Sequence, residues 1–443
     1  MKIQEEVHKL KLASPAMASV SLEQRNDALE EISRSLEANQ EEVFAANKED
    51  LKAAEEMELS PSIKKRLKYD AFKMKDSIAG LHELVSLPDP VGKILLSREL
   101  DEGLKLDKVT VPIGVIGVIF EARPDAMIQV ASLCIKSGNC AILKGGKETA
   151  RTNSVLFRLI QEATKKAGLP EDCLKQAELH TEIDELLSCD EDVDLLIPRG
   201  SNSFVRYIMD HTKIPVMGHS SGICHVYADA QLDEEKAISV IVDSKTQYAA
   251  ACNAAETLLI NRTIAKEFLP RAAKALSDAG VRLRGTKEAA SILDEAVSQG
   301  RLDPKVAIDP EDYMEEQDFS IEYNDLIMSV RIVKDVKEAV DHINRYSSHH
   351  TDAILTTDDQ AASYFLSRVD SAGVFRNCST RFADGYRYGF GAEVGISTGK
   401  LHARGPVGLD GLVTYKYELT GNGQIVADYA EGRKQFHHKD LDV

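Results

Sequence analysis

The sequence lacks the features that would place it in several large classes of protein. It has no basic excess: 72 Asp and Glu stand against 54 Lys and Arg, for a net charge of −18. A nucleic-acid partner, which needs a basic surface against the phosphate backbone, is therefore not expected. No run approaches the roughly 18 apolar residues of a membrane span, so no membrane association is expected. The N-terminus, MKIQEEVHKLKL, has no apolar core of the kind an export signal needs, and the expected location is cytoplasmic. The seven cysteines, at 134, 140, 173, 189, 224, 252 and 378, are odd in number and contain no CxxC pair. That argues against a disulfide framework or a zinc ribbon and for reduced thiols. His349–His350 and His437–His438 are adjacent pairs, and His219 and His225 have no carboxylate at helical spacing, so no metal site is expected. There is no internal repeat and no GxGxxG; GFGAEVG at 389–395 comes close, but Gly391 and Gly395 are one residue too far apart.

What is present is an α/β pattern. The chain has 443 residues, 43% of them hydrophobic, which suits two or three domains with sizeable cores. Over the first ninety residues Leu29, Ile32, Leu36 and Val43 recur at helical spacing, behind a capping box at Ser21 and Gln24. LPDP at 87–90 breaks the pattern, and LDEGLKLDKVTV at 100–111 reads as a hairpin turning at Glu102–Gly103. PIGVIGVIF at 112–120 is a buried strand, Pro124 to Lys136 a helix closed by Gly138, and CAILK at 140–144 a second buried strand. A helix over 156–167, strands opening at Asp194 and Gly222, and strand-like pieces at 254–261, 306–309, 325–333 and 352–357 continue the alternation. The pattern predicts parallel sheets covered by helices on both faces. The expected domains are residues 1–228, 229–408, and a C-terminal piece at 409–443 ending in a mobile tail.

Three segments could carry chemistry. Cys252 lies in QYAAACNAAETLLI, where small neighbours leave room for a carbonyl to reach the sulfur, and a thiolate at the start of an element would have a lowered pKa. Taken alone, a cysteine is far more often a packed apolar residue, and these neighbours do not lift Cys252 far above the other six. FEARPD at 120–125 ends a strand and opens a helix, which puts Arg123 where anions bind. A plain ion pair of Arg123 with Glu121 or Asp125 is the alternative. KGGK at 144–147, after the second strand, suits the ribose or phosphates of a nucleotide.

Together these segments resemble the aldehyde dehydrogenase superfamily, which binds its nucleotide without GxGxxG. More closely they resemble the γ-glutamyl phosphate reductases. The resemblance rests on VPIGVIGVIFEARPDA, NCAILKGGKE, LLIPRGSNSFVRYI, PVMGHSSGICHVYAD, YAAACNAAETLLINR, INRYSSHHTDAILT and STRFADGYRYGFGAEVGISTGKLHARGPVGL, spread over residues 111–409. It implies a nucleotide-binding α/β domain, an α/β catalytic domain and a small β extension for oligomerisation. It implies NADPH-dependent reduction of glutamate 5-phosphate through a thioester on Cys252, with Asn253 and Arg123 supporting the oxyanion. Lys144, Gly145, Arg199, Gly200, Ser201 and Glu322 are the implied cofactor contacts. His225, Arg381 and Arg404 are lower-ranked substrate contacts. The implied partners are the substrate, further copies of the chain, and glutamate 5-kinase.

Two departures from ordinary aldehyde dehydrogenases matter. Their water-activating Glu has no counterpart in PVMGHSSG at 215–222, and Arg123 falls where they carry an oxyanion-binding Asn. Ser221, Ala249, Arg376 and Cys378 depart from the reductase pattern and bear on tuning, not on the chemistry. A hydrolytic NAD(P) aldehyde dehydrogenase and a non-catalytic scaffold of the same fold are the competing readings.

Overall fold

The computed structural model describes residues 3–178, 182–218, 221–391 and 393–443. His219, named above, lies outside them. The chain divides into two compact units. One comprises Met1–Gly218, Phe390–Gly395 and Val407–Val443; the other comprises His219–Gly389 and Ile396–Pro406. The first boundary thus falls at Gly218 rather than 228, because the strand Cys224–Ala228 is hydrogen-bonded into the second unit's sheet.

The first unit opens with the helices Ile3–Ala18, Leu22–Ala38, Gln40–Glu56, Pro61–Leu67 and Ala71–Ser86. Ser21 Oγ caps the second by accepting from Gln24 N at 3.2 Å. Leu29, Ile32, Leu36 and Val43 are all fully buried, as their spacing requires. A four-stranded parallel sheet follows in the order Leu174–Ala177, Cys140–Lys144, Val115–Phe120, Leu195–Arg199. Every residue of its two central strands is buried. That explains their unbroken apolar sequence, each large side chain contributing about 1.5–3 kcal/mol by leaving water.

The hairpin Ile94–Asp101 and Leu104–Pro112 turns through Gly103, whose φ of 68° suits a residue without Cβ. The strand Val413–Thr420 extends it antiparallel along Leu104–Pro112. The tail, expected to be mobile, instead folds back on the hairpin. Lys439–Asp440 pairs with Arg98 and Glu99, Tyr429 stacks on Phe436 at 4.1 Å, and Tyr429 Oη donates to Asp101 at 2.8 Å. Two stacked aromatic rings in an otherwise polar stretch give it a contact of its own.

The second unit is a six-stranded parallel sheet in the order Gly373–Arg376, Thr351–Leu355, Cys224–Ala228, Ala255–Asn261, Ile327–Val333, Arg282–Gly285. The piece at 306–309 is not a strand. A single 3-10 turn, Pro304–Val306, delivers Val306 to the core, so its apolar character reflects burial alone. The outer strands Arg282–Gly285 and Gly373–Arg376 are four residues each, too short to show a period.

Candidate active site

Of the expected cofactor residues, Lys144, Gly145, Arg199, Gly200 and Ser201 gather in the first unit at the C-terminal ends of parallel strands, where open α/β sheets bind ligands, whereas Glu322 belongs to the second unit. Lys144 ends its strand 3% exposed, and its Nζ donates to Gly145 O at 2.6 Å. Burial lowers its pKa, against the opposing pull of Glu182, Glu148 and Glu178. Beside it lies a cleft of about 320 Å³ lined by Gly145, Gly146, Arg151, Asn153, Gln176 and Glu178 among others. A Cβ on Gly145 would sit 2.0 Å from Asn153 Nδ2, so the backbone approaches there as only glycine permits.

Arg199, Gly200 and Ser201 join the strand Leu195–Arg199 to the helix Asn202–His211. Arg199 Nη1 donates to Gln129 Oε1 at 3.1 Å, and burial, with the nearby charge of Arg123, pushes it down to about 10. Ser201 N donates to Glu121 Oε2 at 3.0 Å, and a Cβ on Gly200 would meet that carboxylate at 2.4 Å. Arg123 caps the helix Pro124–Lys136 with its guanidinium on Asp125 Oδ2 at 2.9 Å. The ion-pair alternative is therefore realised, with Asp125 rather than Glu121. Burial would raise Asp125, but the charge and hydrogen bond of Arg123 outweigh it. The turn before Arg123 holds Ala122 at φ 50°, a left-handed conformation costly for a residue with a Cβ, and Ala122 N is tied to Glu148 Oε1 at 2.6 Å.

The second unit holds the thiol. Cys252 sits in a tight turn before Ala255–Asn261, with Ala251 N on Tyr248 O and Ala254 N on Ala251 O. The element whose start it precedes is thus a strand and not a helix. What stands beside it is His350, whose Nε2 is 3.3 Å from Sγ. Cys252 is half-exposed, whereas five of the other thiols are buried. Burial pushes Cys134 and Cys173 up to about 12 and Cys189 to about 11, and raises Cys140, Cys224 and Cys378 too.

Asn253 is 3% exposed and its Nδ2 donates to Ala383 O at 2.8 Å, which leaves its backbone N–H as the better candidate for an oxyanion. Arg381 is 8% exposed, donates from Nε to Gln247 Oε1 at 2.9 Å and feels the charge of Cys252. Burial and the neighbouring Arg387 lower its pKa. Glu322 lies close enough to Glu256 for its charge to raise that carboxyl.

Two expected substrate contacts have partners within the protein on part of their side chains. His225 is fully buried and its Nδ1 is 2.9 Å from Asp352 Oδ1. Arg404 Nη2 reaches Asp370 through O at 3.2 Å and Oδ1 at 3.0 Å. Both serve the turn that delivers His350. Asp352 also accepts from Ser347 Oγ and Ser371 Oγ, and Asp370 O meets His349 Nδ1.

His350 was missed because its adjacency to Cys252 depends on strand order. Thr351–Leu355 and Ala255–Asn261 flank Cys224–Ala228. The residues just before each therefore meet at the N-terminal edge of the sheet. Gly222, ahead of the middle strand, gives the room: a Cβ there would sit 2.1 Å from Cys252 O. A histidine directly before one strand and a cysteine in the turn before another, with a glycine before a third, was the available signal.

An α/β unit with a cleft at its strand ends, and a second α/β unit bearing a partly exposed thiol beside a histidine, fit the aldehyde dehydrogenase family, and the chain belongs to it: the family's model matches residues 1–292. Within that family the chain belongs to the γ-glutamyl phosphate reductases. It is 50% identical over 441 residues to the γ-glutamyl phosphate reductase of Acetivibrio thermocellus, covering 100% of this chain and 99% of that one. It superposes on the crystal structure of γ-glutamyl phosphate reductase from Thermotoga maritima with a TM-score of 0.91 at 35% identity, covering 96% of this chain and 100% of that one. It shares its fold with glyceraldehyde-3-phosphate dehydrogenase from Methanocaldococcus jannaschii complexed with NADP, at 15% identity and a TM-score of 0.63 over 94% of each chain.

Proposed function

We propose that the protein reduces L-glutamate 5-phosphate to L-glutamate 5-semialdehyde and phosphate with NADPH, the second step of proline biosynthesis, through a thioester on Cys252. The observation that carries this reading is the Cys252 turn, a partly exposed thiol beside a base in a chain that matches γ-glutamyl phosphate reductases along its length. The Cys252 sulfur attacks the acyl carbon and phosphate departs. The guanidinium of Arg381, which feels the charge of Cys252, supports negative charge beside the sulfur, and the backbone N–H of Asn253, whose side-chain amide is taken by Ala383 O, is the proposed oxyanion donor.

The residues around Lys144 fit a nucleotide: a glycine-permitted backbone approach beside a cleft. A bound nicotinamide cofactor supplies the hydride that reduces the thioester. Lys144 would hold its ribose, with Gly145 beneath, and Arg199, Gly200 and Ser201 line the next strand end. Arg151 on the cleft wall supports NADPH, since its guanidinium suits a 2′-phosphate. Arg123, on the surface at the opening of its helix, supports binding of an anionic group of the substrate. The exposed strand Val413–Thr420 supports assembly with another copy.

The hydrolytic alternative needs a carboxylate to activate water. Glu256, on the strand that follows Cys252, is not available for it: Oε2 is 2.6 Å from Lys245 Nζ and Oε1 accepts from Asn324 N at 3.3 Å. The test runs the reaction backwards, with pyrroline-5-carboxylate, NADP and phosphate, following NADPH absorbance. Phosphate-dependent NADPH formation, abolished in Cys252→Ser, is the expected result. Equal rates without phosphate would replace the reading with a hydrolytic dehydrogenase.

A further inference from the structure

We propose that His350 is the proton acceptor of Cys252, the two side chains forming a thiolate–imidazolium pair before substrate arrives. The inference deepens the reading above, but its central contact is independent of any substrate.

The geometry supports proton transfer along one line. His350 is 1% exposed, and its Nε2 is 3.3 Å from Cys252 Sγ. Its Nδ1 is 2.9 Å from Thr351 Oγ1. With Nδ1–H donating to that hydroxyl, Nε2 presents its lone pair to the thiol. The second ring nitrogen thus sets the tautomer. The ring is held by its backbone. His349, just before it, has φ 61°, its N–H donates to Ser347 Oγ at 3.0 Å, and Ser348 is bonded to Ile223 through both N and Oγ. A left-handed residue fastened on both sides is the kind of strain that persists where a side chain must be aimed.

Other groups face the pair. Arg381 attracts the thiolate. The Cys224 thiol donates to Cys252 O at 3.4 Å, and burial raises it, so it stays protonated. Asp352 and Glu256 bear on Cys224 from the flanking strands, and each has partners of its own: His225, Ser347 and Ser371 for the first, Lys245 and Asn324 for the second. His350 stands in hydrogen-bond range of the sulfur and can take its proton.

The step balances as follows. The S–H proton moves to Nε2, the sulfur lone pair forms the S–C bond to the acyl carbon, and the C–O bond to phosphate breaks with its electron pair on phosphate. The imidazolium proton passes to the departing phosphate, leaving a thioester and a neutral imidazole. Once hydride has been added to the thioester carbon, the C–S bond breaks with its electrons on sulfur, and the aldehyde leaves. His350 then takes one proton from solvent, which restores the pair and accounts for the proton the overall reduction consumes.

The test measures the rate of alkylation by iodoacetamide against pH on the full-length protein, with Cys252→Ser subtracting the other thiols. The wild type should show a midpoint at least about 1 pH unit below the roughly 8.5 of a free thiol. His350→Gln should return the midpoint to the ordinary range or above, with the rate near neutral pH falling at least about 10-fold. Thr351→Val, which removes only the acceptor for Nδ1–H, should shift the midpoint the same way by less, and guards against a His350 variant that fails to fold. Superimposable profiles for folded wild type and His350→Gln would overturn the proposal. Alkylation needs no substrate, so a low wild-type midpoint without phosphate-dependent turnover would sink the proposed reaction and leave the pair standing.

Discussion

Replacing Gly222 by alanine adds one methyl group where the fold leaves no space for it. An ideal Cβ there would lie 2.1 Å from Cys252 O, 2.5 Å from its Cα and 2.6 Å from its C. These are backbone atoms, so no side chain can swing aside; the Cys252 turn or the start of the strand Cys224–Ala228 must move. Ordinary contact begins near 3.4 Å, so relieving the closest approach takes a shift of roughly 1 Å. Gly222 is not in a left-handed conformation, and the substitution therefore acts through volume rather than through backbone strain. Overpacking of this kind costs about 1–3 kcal/mol of stability. Misplacing a nucleophile by about 1 Å can cost on the order of 100-fold in rate.

The expected outcome is a folded Gly222→Ala protein with kcat in the reverse reaction down about 100-fold. Lys144, Gly145, Arg151, Arg199, Gly200 and Ser201, proposed for the nucleotide, belong to the other unit, so NADP affinity measured by titration calorimetry should change less than about 3-fold, under 1 kcal/mol. A variant with near wild-type kcat would show that the turn yields at no catalytic cost, and the argument that Gly222 sets the position of the sulfur would fail. Loss of NADP binding together with activity would point to general unfolding instead.

Two further outcomes follow from buried or cleft-lining charge. Arg151→Gln should raise KM for NADPH by about 10-fold while leaving KM for NADH nearly unchanged, as expected for the loss of one guanidinium–phosphate contact; equal effects on both cofactors would remove Arg151 from the 2′-phosphate. Glu256, raised to about 7 chiefly by burial, holds its proton more tightly when folded than when unfolded. Its contribution to stability is therefore fully present below the ordinary carboxylate pKa and is lost as pH rises to about 7, by up to about 3 kcal/mol. Urea unfolding across that window should show this loss in the wild type, and a Glu256→Gln protein with the same slope would refute the assignment.

Much of the fold was legible because its signals are local. The strands Val115–Phe120 and Cys140–Lys144 announce themselves as apolar runs, since a parallel strand covered on both faces has no polar side to show. The early helices announce themselves through Leu29, Ile32, Leu36 and Val43. What stayed hidden was non-local. The pairing of Lys439–Asp440 with the hairpin joins residues more than three hundred positions apart and rests on Tyr429 and Phe436, two aromatics in a polar stretch that composition alone reads as mobile.

The site divides along the same line. Cys252, Lys144 and Arg123 each stand in a segment specific enough to be singled out, but what a segment says about a thiol is limited to its own neighbours. Alanines around Cys252 account for access to the sulfur and leave its ionisation unexplained. The element that starts after Cys252 is a strand buried along its length, which brings no helix dipole to the sulfur. A thiolate there needs a counter-charge from elsewhere in the chain, and sheet order supplies one: His350, 98 residues away, arrives because its strand lies one place beyond the middle strand that Cys252 also borders. His225 shows the converse. It sits on that middle strand, and Asp352, paired with it in register, draws its ring into the sheet. Two histidines in similar apolar surroundings thus part company by a matter of register. The one that ends up on the sulfur is the one that precedes its strand rather than lying within it.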